Sequence, residues 1–114
     1  VARIKALLRR AAPQNDMEVV KYGNITLNPM THKVLDGERD IQLGPTEFKL
    51  LHFFMTHPER VFSRSQLLDL VWGRNIYVEE RTVDVHILRL RKSFTSDSSK
   101  YIQTVRGAGY RMSN

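Results

Sequence analysis

One segment, residues 79–94 with the sequence EERTVDVHILRLRKSF, constrains the fold most, because it carries two chemically different helical faces. At about 100° per residue its apolar positions share one narrow sector, which is the spacing of a helix packed on a protein core. These positions are Val83, Ile87, Leu90 and Phe94. The opposite face mixes cationic with aliphatic side chains, namely Arg81, Val85, Leu88, Arg89 and Lys92.

This second face has two interpretations. A helix in the DNA major groove uses Arg for guanine edges and phosphates, and aliphatic side chains for the methyl groups of thymine. A face that is only solvated would carry charges and few apolar groups, so Val85 and Leu88 favour a recognition helix. Taken alone, the segment also fits an ordinary amphipathic helix with a basic solvent face.

A β-hairpin is predicted directly after this helix, with strands over residues 101–106 and 110–112. Gly107 and Gly109 allow the positive φ values of a tight connection, and strand-forming Tyr, Ile, Thr and Val flank them. A lone Arg at such a turn is usually only solvated. Beside a groove-binding helix, however, Arg106 is placed to enter the minor groove, where the potential is most negative. Helix and basic hairpin together predict a winged helix-turn-helix.

Composition narrows the class of partner. The 114 residues, 41% of them hydrophobic, suffice for one small domain with a modest core. A formal net charge of +6 favours polyanions, nucleic acid first and an acidic membrane surface second. No apolar run approaches the roughly 20 residues of a membrane-spanning helix. Because cysteine is absent, disulfides and thiolate metal sites are excluded, which suits a reducing cytoplasm.

The sequence offers no catalytic or metal-binding constellation. His32, His52, His57 and His86 are scattered without the spacing of metal ligands. Asp84 and His86 are two apart on a helix and point in different directions, so they cannot form a hydrogen-bonded acid and base pair. Neither a nucleophile motif nor a phosphate-binding loop is present. We therefore expect neither an enzyme nor a cofactor nor a metal.

The N-terminal residues predict a domain boundary. VARIKALLRR has apolar residues at helical spacing, and AAPQNDME with Pro13 interrupts that pattern. We interpret residues 1–17 as the end of an upstream domain and its linker, and residues 18–114 as the winged-helix domain. The alternative is a frayed basic arm that itself touches DNA.

Between residues 19 and 57 the pattern changes from strands to a helix. The runs VVKY, ITLN, KVL and DIQL alternate with turn signals, which predicts a four-stranded antiparallel meander. Asp36 and Gly37 favour a hairpin, in which Arg39 could belong to a longer turn. Pro45 and Glu47 suit the start of a helix that Pro58 ends, and its many apolar residues predict the most buried element.

A second helix is predicted from Ser63, which forms an S-x-x-Q capping box with Gln66. Leu67, Leu68 and Val71 are expected to pack inward before Trp72 and Gly73 end the helix. Arg64 in its first turn is placed to reach a DNA phosphate.

The connection to the recognition helix is longer than a minimal helix-turn-helix turn. It brings Trp72, Tyr77 and Val78 near the acidic pair Glu79 and Glu80. Acids disfavour DNA contact but suit the N-terminus of a helix. They either cap this helix or form a contact surface for another protein.

Three stretches together resemble a known family: GPTEFKLLHFFMTHPERVFSRSQLLDLVWG, YVEERTVDVHILRLRK and IQTVRGAGYR. They are similar to the DNA-binding effector domain of the OmpR/PhoB family of bacterial two-component response regulators, and to its phosphate-responsive members in particular. The resemblance covers nearly the whole chain. It implies an α+β winged helix-turn-helix with an N-terminal four-stranded antiparallel sheet, a three-helix core and a C-terminal β-hairpin wing. It also implies an upstream receiver domain phosphorylated on Asp, whose last helix VARIKALLRR resembles.

The resemblance implies roles for individual residues. Phosphate contacts fall on Arg81, Thr82, His86, Arg91, Thr104 and Tyr110. Base-edge contacts fall on Asp84, Val85 and Arg89. Arg106 would enter the minor groove, and Lys92 completes the DNA-binding set. Two copies would bind head-to-tail on direct repeats. The loop with Trp72, Gly73, Val78, Glu79 and Glu80 would contact the sigma subunit of RNA polymerase.

Leu88 departs from the family pattern, because the phosphate-responsive members are expected to carry an Arg there. A neutral side chain removes one cationic contact, so either the preferred sequence shifts toward a methyl contact or the loss is compensated elsewhere.

The resulting expectation is sequence-specific binding of double-stranded DNA in the cytoplasm that activates transcription, including that of phosphate-starvation genes. The alternative is a winged-helix protein-interaction module without specific DNA binding. That alternative leaves the basic face of residues 79–94 and Arg106 unexplained.

Overall fold

The computed structural model of the chain describes residues 18–73, 78–94 and 97–113. The predicted end of the upstream domain and its linker, residues 1–17, lie outside the described residues. So do residues 74–77, which include Tyr77 of the predicted contact loop.

The N-terminal part forms the predicted four-stranded antiparallel sheet in the order β1-β2-β3-β4. Its strands are β1 (Val20–Tyr22), β2 (Ile25–Asn28), β3 (Lys33–Asp36) and β4 (Arg39–Ile41). Alternation along the strands buries Ile25, Leu27, Val34 and Ile41. Asp36 pairs with Arg39, so the last hairpin has the short turn and not the longer one.

The first helix, α1 (Pro45–Thr56), confirms the predicted central element. Proline occupies its first turn, and the helix ends before Pro58 with His57 as its C-cap. It contacts the long helix Arg81–Ser93, the helical segment Leu68–Trp72, and strands β1 and β6 of the two sheets. Its buried apolar residues are Phe48, Leu50, Leu51, Phe54 and Met55.

The second helix, α2 (Arg64–Leu67), begins with the predicted capping box. The Gln66 amide donates to Ser63 Oγ over 3.1 Å, and the Ser63 amide donates to Gln66 Oε1 over 2.8 Å. Beyond Leu67 the chain continues as a π-helical segment, Leu68–Trp72, and ends at Gly73. The expectation of one regular helix was therefore wrong here, because the Gly73 amide bonds to the Leu68 carbonyl five residues back.

This wider turn changes which side chains are buried. Leu67 is completely buried, whereas Leu68 and Val71 pack against the core as predicted but remain half-buried. The α-helical spacing placed all three on one inward face, but a π-helical turn spreads them over a wider arc.

The third helix, α3 (Arg81–Ser93), confirms the predicted buried stripe. Val83, Ile87 and Leu90 are at most 1% exposed, and Phe94 at its C-cap is buried beside them. A short 3₁₀ turn, Asp97–Tyr101, follows and leads to β5 (Ile102–Val105) and β6 (Gly109–Met112). These two antiparallel strands and their turn, residues 106–108, form the wing.

The first wing strand is one residue shorter than predicted at each end, and the second begins one residue earlier than predicted, at Gly109. Tyr101 belongs to the 3₁₀ turn and Arg106 to the hairpin turn, since the last backbone pair is Val105 with Gly109. Arg106 therefore lies at the tip of the wing, where a side chain can reach beyond the body of the domain.

Candidate nucleic-acid interface

The recognition face of α3 consists of Arg81, Val85, Leu88, Arg89 and Lys92, all exposed as the sequence predicted. Its two aliphatic members are unusual for a solvated surface: Val85 is 45% exposed and Leu88 is 50% exposed. Val85 and Arg89 are four positions apart, so the aliphatic and cationic groups are neighbours on the helix surface. This surface can form hydrogen bonds, ion pairs and methyl contacts at once.

Acidic residues lie at the N-terminal end of the same helix. Arg81 Nε is 2.8 Å from Glu79 Oε2, but both side chains are more than 70% exposed, so the ion pair contributes little to stability. Glu80 is the N-cap residue and its side chain makes no capping hydrogen bond. The acids thus do not cap α3 through their side chains, although their charge still suits the helix N-terminus.

His86 turns toward α1 and forms a hydrogen bond through Nδ1 with Oε2 of Glu47. Glu47 is 7% exposed, and the His86 side chain is 17% exposed. The Trp72 ring lies 5.5 Å from the His86 ring, measured between centroids. His86, expected to hold a phosphate, therefore has one ring nitrogen engaged inside the domain.

The pKa of Glu47 reflects this partner. Burial alone would raise the pKa, but hydrogen bonds with His86 and the backbone and the nearby charge of Arg89 lower it below its ordinary value. The carboxylate form is thus favoured in a largely buried position. Local sequence patterns predict only a helix N-terminal position for Glu47, because its partner is 39 residues away.

Asp84 is connected to two other elements. Arg64 Nε donates to Asp84 Oδ1 over 3.0 Å, and the Tyr110 hydroxyl donates to the same oxygen. Burial raises the pKa of Tyr110, and its hydrogen bond to Asp84 raises it further. Three residues expected to contact DNA therefore contact one another.

Arg91 makes a similar connection to the wing. Its Nε donates to the Ile102 carbonyl over 2.9 Å, and its Nη2 donates to Thr104 Oγ1 over 2.7 Å. Its guanidinium carbon also lies 5.7 Å from the centre of the Tyr110 ring. Arg91 and Thr104, both expected at phosphates, are thus bonded together.

The base of the wing is held by backbone contacts. Phe62 and Tyr110 exchange two backbone hydrogen bonds of 2.8 and 2.9 Å. Gly109 has φ 143°, and a Cβ there would overlap the Phe62 carbonyl. Arg106, Gly107 and the rest of the turn are exposed.

A cleft of about 360 Å³ lies between the start of α2 and the wing. Its lining includes Arg64, Thr104, Gly107 and Tyr110. Three residues expected at phosphates, Arg64, Thr104 and Tyr110, therefore line one cleft.

The residues expected at the polymerase differ in exposure. Glu79 and Glu80 are exposed, whereas Trp72, Gly73 and Val78 are half-buried. Thr82, another expected phosphate contact, is also half-buried. The acidic pair is the accessible part of this segment among the described residues.

Two further kinds of feature, a metal-ligand cluster and a membrane-spanning helix, are absent from the described ranges. No group of three or more His, Cys, Asp or Glu residues there is arranged to hold a metal ion. None of the helices in those ranges has the length and apolarity needed to cross a bilayer.

The fold and its basic, partly aliphatic helix define a winged helix-turn-helix of the DNA-binding class. The family model described as "Transcriptional regulatory protein, C terminal" matches residues 37–112. The chain belongs to this family and is a transcriptional regulator DNA-binding domain of the OmpR/PhoB type. This family is a class of DNA-binding regulators and not a class of enzymes.

Individual relatives agree with this assignment. The chain is 60% identical over 114 residues to the phosphate regulon transcriptional regulatory protein PhoB of Shigella flexneri, covering 99% of this chain and 50% of the relative. It thus spans about half the length of the relatives it matches.

Solved structures share the fold. Thermotoga maritima response regulator DrrB, an OmpR/PhoB homolog, matches with a TM-score of 0.77 at 29% identity, covering 99% of this chain and 50% of that one. The DNA-binding domain of Klebsiella pneumoniae RstA, in complex with the RstA box, matches with a TM-score of 0.74 at 30% identity. That match covers 84% of this chain and 97% of RstA's domain.

Proposed function

We propose that this domain binds duplex DNA sequence-specifically by placing the recognition face of α3 in the major groove. The observation that carries the proposal is the exposure of Val85 and Leu88 beside Arg89 on that face. Arg forms paired hydrogen bonds to guanine, and aliphatic groups contact the thymine methyl group. This face therefore holds both kinds of base-contacting group.

The wing supplies the second contact in the proposal. Arg106 at its exposed tip enters the adjacent minor groove, where a cation gains most from the potential of the two backbones. Lys92 and Arg81 approach phosphates from the edges of the recognition face. The net charge of +6 supports attraction to the whole duplex.

Alanine substitution tests the major-groove contact. We expect Arg89→Ala to cost about 1 to 3 kcal/mol on a duplex selected from a random pool, and to relax selectivity at one base pair. Lys33→Ala is the matched control, because Lys33 is an exposed cation on the N-terminal sheet. Equal, small effects of both changes would contradict the proposal and favour a protein-interaction module.

We further propose that the domain is the output part of a response regulator that activates transcription, including that of phosphate-starvation genes. Similarity to PhoB over the full chain supports this role, since the chain matches half of that longer protein. In this proposal, residues 1–17 end a receiver domain and its linker, residues 18–114 form the effector, and the protein works in the cytoplasm. Two copies bind in tandem to direct repeats.

The segment with Trp72, Gly73, Val78, Glu79 and Glu80 is proposed to contact the polymerase sigma subunit. The exposed acids support this, because they are unsuited to phosphate contact. Glu79→Ala should lower activated transcription while leaving DNA affinity nearly unchanged. Glu38→Ala, an exposed acid on the N-terminal sheet turn, is the control. Loss of DNA affinity with Glu79→Ala would contradict a polymerase-specific role.

A further inference from the structure

The carboxylate of Asp84 connects three elements of the domain. It lies on α3, and its Oδ1 accepts hydrogen bonds from Arg64 of α2 and from Tyr110 of wing strand β6. The Asp84 side chain is only 33% exposed. One oxygen of this carboxylate is thus occupied by the protein before any DNA is present.

A second connection lies on the same side of α3. Arg91 is seven residues after Asp84, which is about two helical turns. It bonds to Ile102 and Thr104 of wing strand β5. Both strands of the wing are therefore held by the same helix that carries the recognition face.

Backbone hydrogen bonds along β6 also hold the wing in place. The paired backbone hydrogen bonds between Phe62 and Tyr110 attach β6 to the segment before α2. The Glu59 amide donates to the Met112 carbonyl over 2.7 Å at the other end of β6. Among the described residues of the wing, only the turn that carries Arg106 lies outside these contacts.

From this geometry we propose that Asp84 is a positioning residue that sets the wing against α3 and does not contact a base. In this inference, which rests on the proposed function, Asp84 fixes the offset between the major-groove side chains and Arg106. The raised pKa of Tyr110 agrees with a hydroxyl proton held by the carboxylate. A base contact would instead require Asp84 to direct its oxygens toward a cytosine amine.

The first experiment measures wing position without DNA, so it is independent of the proposed function. Since the chain has no cysteine, spin labels can be attached uniquely to Lys92→Cys on α3 and Ala108→Cys in the wing turn. Double electron–electron resonance should give a narrow distance distribution that broadens or shifts with Asp84→Asn and with Tyr110→Phe. An unchanged distribution in both variants would overturn the positioning role.

Tyr110→Phe is included because Asp84→Asn could change the distance simply by disturbing the fold. It removes only the hydroxyl from the wing side and leaves the ion pair of Arg64 with Asp84 in place. Thermal unfolding of each variant identifies any that is not folded, and the distance is compared only between folded proteins. Ser65→Ala, at the exposed start of α2 beside the same cleft, is the control and should leave the distribution unchanged.

The second experiment separates positioning from base contact. Asp84→Asn should weaken binding to the selected duplex by about 10-fold, because a neutral amide oxygen holds Arg64 and Tyr110 less strongly than a charged carboxylate does. It should leave the preferred sequence unchanged. Arg106→Ala should reduce DNA affinity less in the Asp84→Asn variant than in the wild type, because the wing of that variant is no longer held in place.

Two results would overturn the inference. One is that Asp84→Asn changes the preferred base at a single base pair. The other is that the affinity loss of the double variant equals the product of the losses from Asp84→Asn and Arg106→Ala. Failure of the proposed function gives a different result. In that case the wild-type protein would bind selected and unselected duplexes equally, while the spin-label distances could still respond to Asp84→Asn.

Discussion

At the residue scale, the exposed aliphatic pair on α3 distinguishes this domain from a merely basic one. Val85 and Leu88 lie three residues apart on the recognition face and are about half exposed. Exposed aliphatic groups gain free energy only when a partner covers them. The C5 methyl group of thymine is such a partner in the major groove.

This pair predicts that the affinity for DNA depends on thymine methyl groups. Replacing the contacted thymine by deoxyuridine removes one methyl group and keeps all hydrogen-bonding groups. The expected cost is about 0.8 kcal/mol, roughly fourfold in affinity, since that is the value of one buried methylene-sized group. A scan that replaces each thymine of the selected duplex in turn, with affinity measured each time, checks this.

The matched variant is Leu88→Ala, in which the deoxyuridine penalty at the contacted position should disappear. Leu70→Ala serves as the control, because Leu70 is 57% exposed but lies on the π-helical segment, away from the recognition face. If no thymine position responds in the wild type, the aliphatic pair does not contact methyl groups.

Single residues also show which properties the sequence predicts and which it does not. Helical periodicity correctly separated the buried Val83 and Ile87 from the exposed Val85 and Leu88. It could not reveal that Asp84 bonds to Arg64 and Tyr110, because those partners are 20 and 26 residues away. The DNA roles predicted for Asp84 and Tyr110 came from the family resemblance, and that of Arg64 came from its place in the first turn of α2; none of these contacts has been tested.

At the element scale, the wing depends on one glycine. Gly109 has φ 143°, and a side chain there would collide with the Phe62 backbone to which β6 is bonded. The sequence predicted a glycine turn, but this close approach appears only once the chain is folded.

Gly109→Ala should therefore destabilise the domain by about 2 kcal/mol, the cost of a strained backbone plus displaced contacts. Urea unfolding measures this. Gly107→Asn is the comparison, since Gly107 has φ 76° with open space around it and Asn tolerates that conformation. Equal effects of the two changes would show that the contact with Phe62 does not constrain β6.

The packing of α1 against α3 includes the hydrogen bond between Glu47 and His86, and the ionisation of Glu47 gives a pH-dependent contribution to stability. The pKa of Glu47 is lowered in the folded state, so its carboxylate stabilises the fold at pH values above the ordinary value of 4.5. That contribution is lost as the pH falls through the lower folded value, because the native state must then bind the proton.

Glu47→Gln should lower the free energy of unfolding by about 1 to 3 kcal/mol near neutral pH, with the difference from wild type shrinking below pH 4.5. Chemical unfolding at a series of pH values gives this difference. Glu38→Gln, an exposed carboxylate in the β3–β4 turn, should show no comparable pH-dependent difference. A constant difference for Glu47→Gln across the range would exclude a contribution from its ionisation.

Element boundaries show the limits of local patterns in the same way. The capping box at Ser63 and the helix start at Pro45 were predicted from local hydrogen-bonding and proline chemistry, and both are present. The π-helical end of α2 was not predicted, because apolar spacing alone does not show which carbonyl the Gly73 amide will use.

At the scale of the whole molecule, the fold class was predictable because the strand, helix and turn patterns of the sequence all indicate the same fold. Alternating strands, a buried central helix, a two-faced helix and a glycine hairpin permit few arrangements other than a winged helix. The family assignment confirms this class. The internal bonding of the interface was not predictable, since it depends on how α2, α3 and the wing meet in space.

The proposed function depends on α3 presenting its recognition face to DNA. Methyl-selective NMR of the chain bound to a selected duplex measures this contact directly. We predict intermolecular nuclear Overhauser effects from the methyl groups of Val85 and Leu88 to major-groove protons, and none from the buried methyl groups of Val83 and Ile87. Bound DNA that contacts another surface, such as the exposed Met30 of the N-terminal sheet, with no effect at Val85 or Leu88, would contradict it.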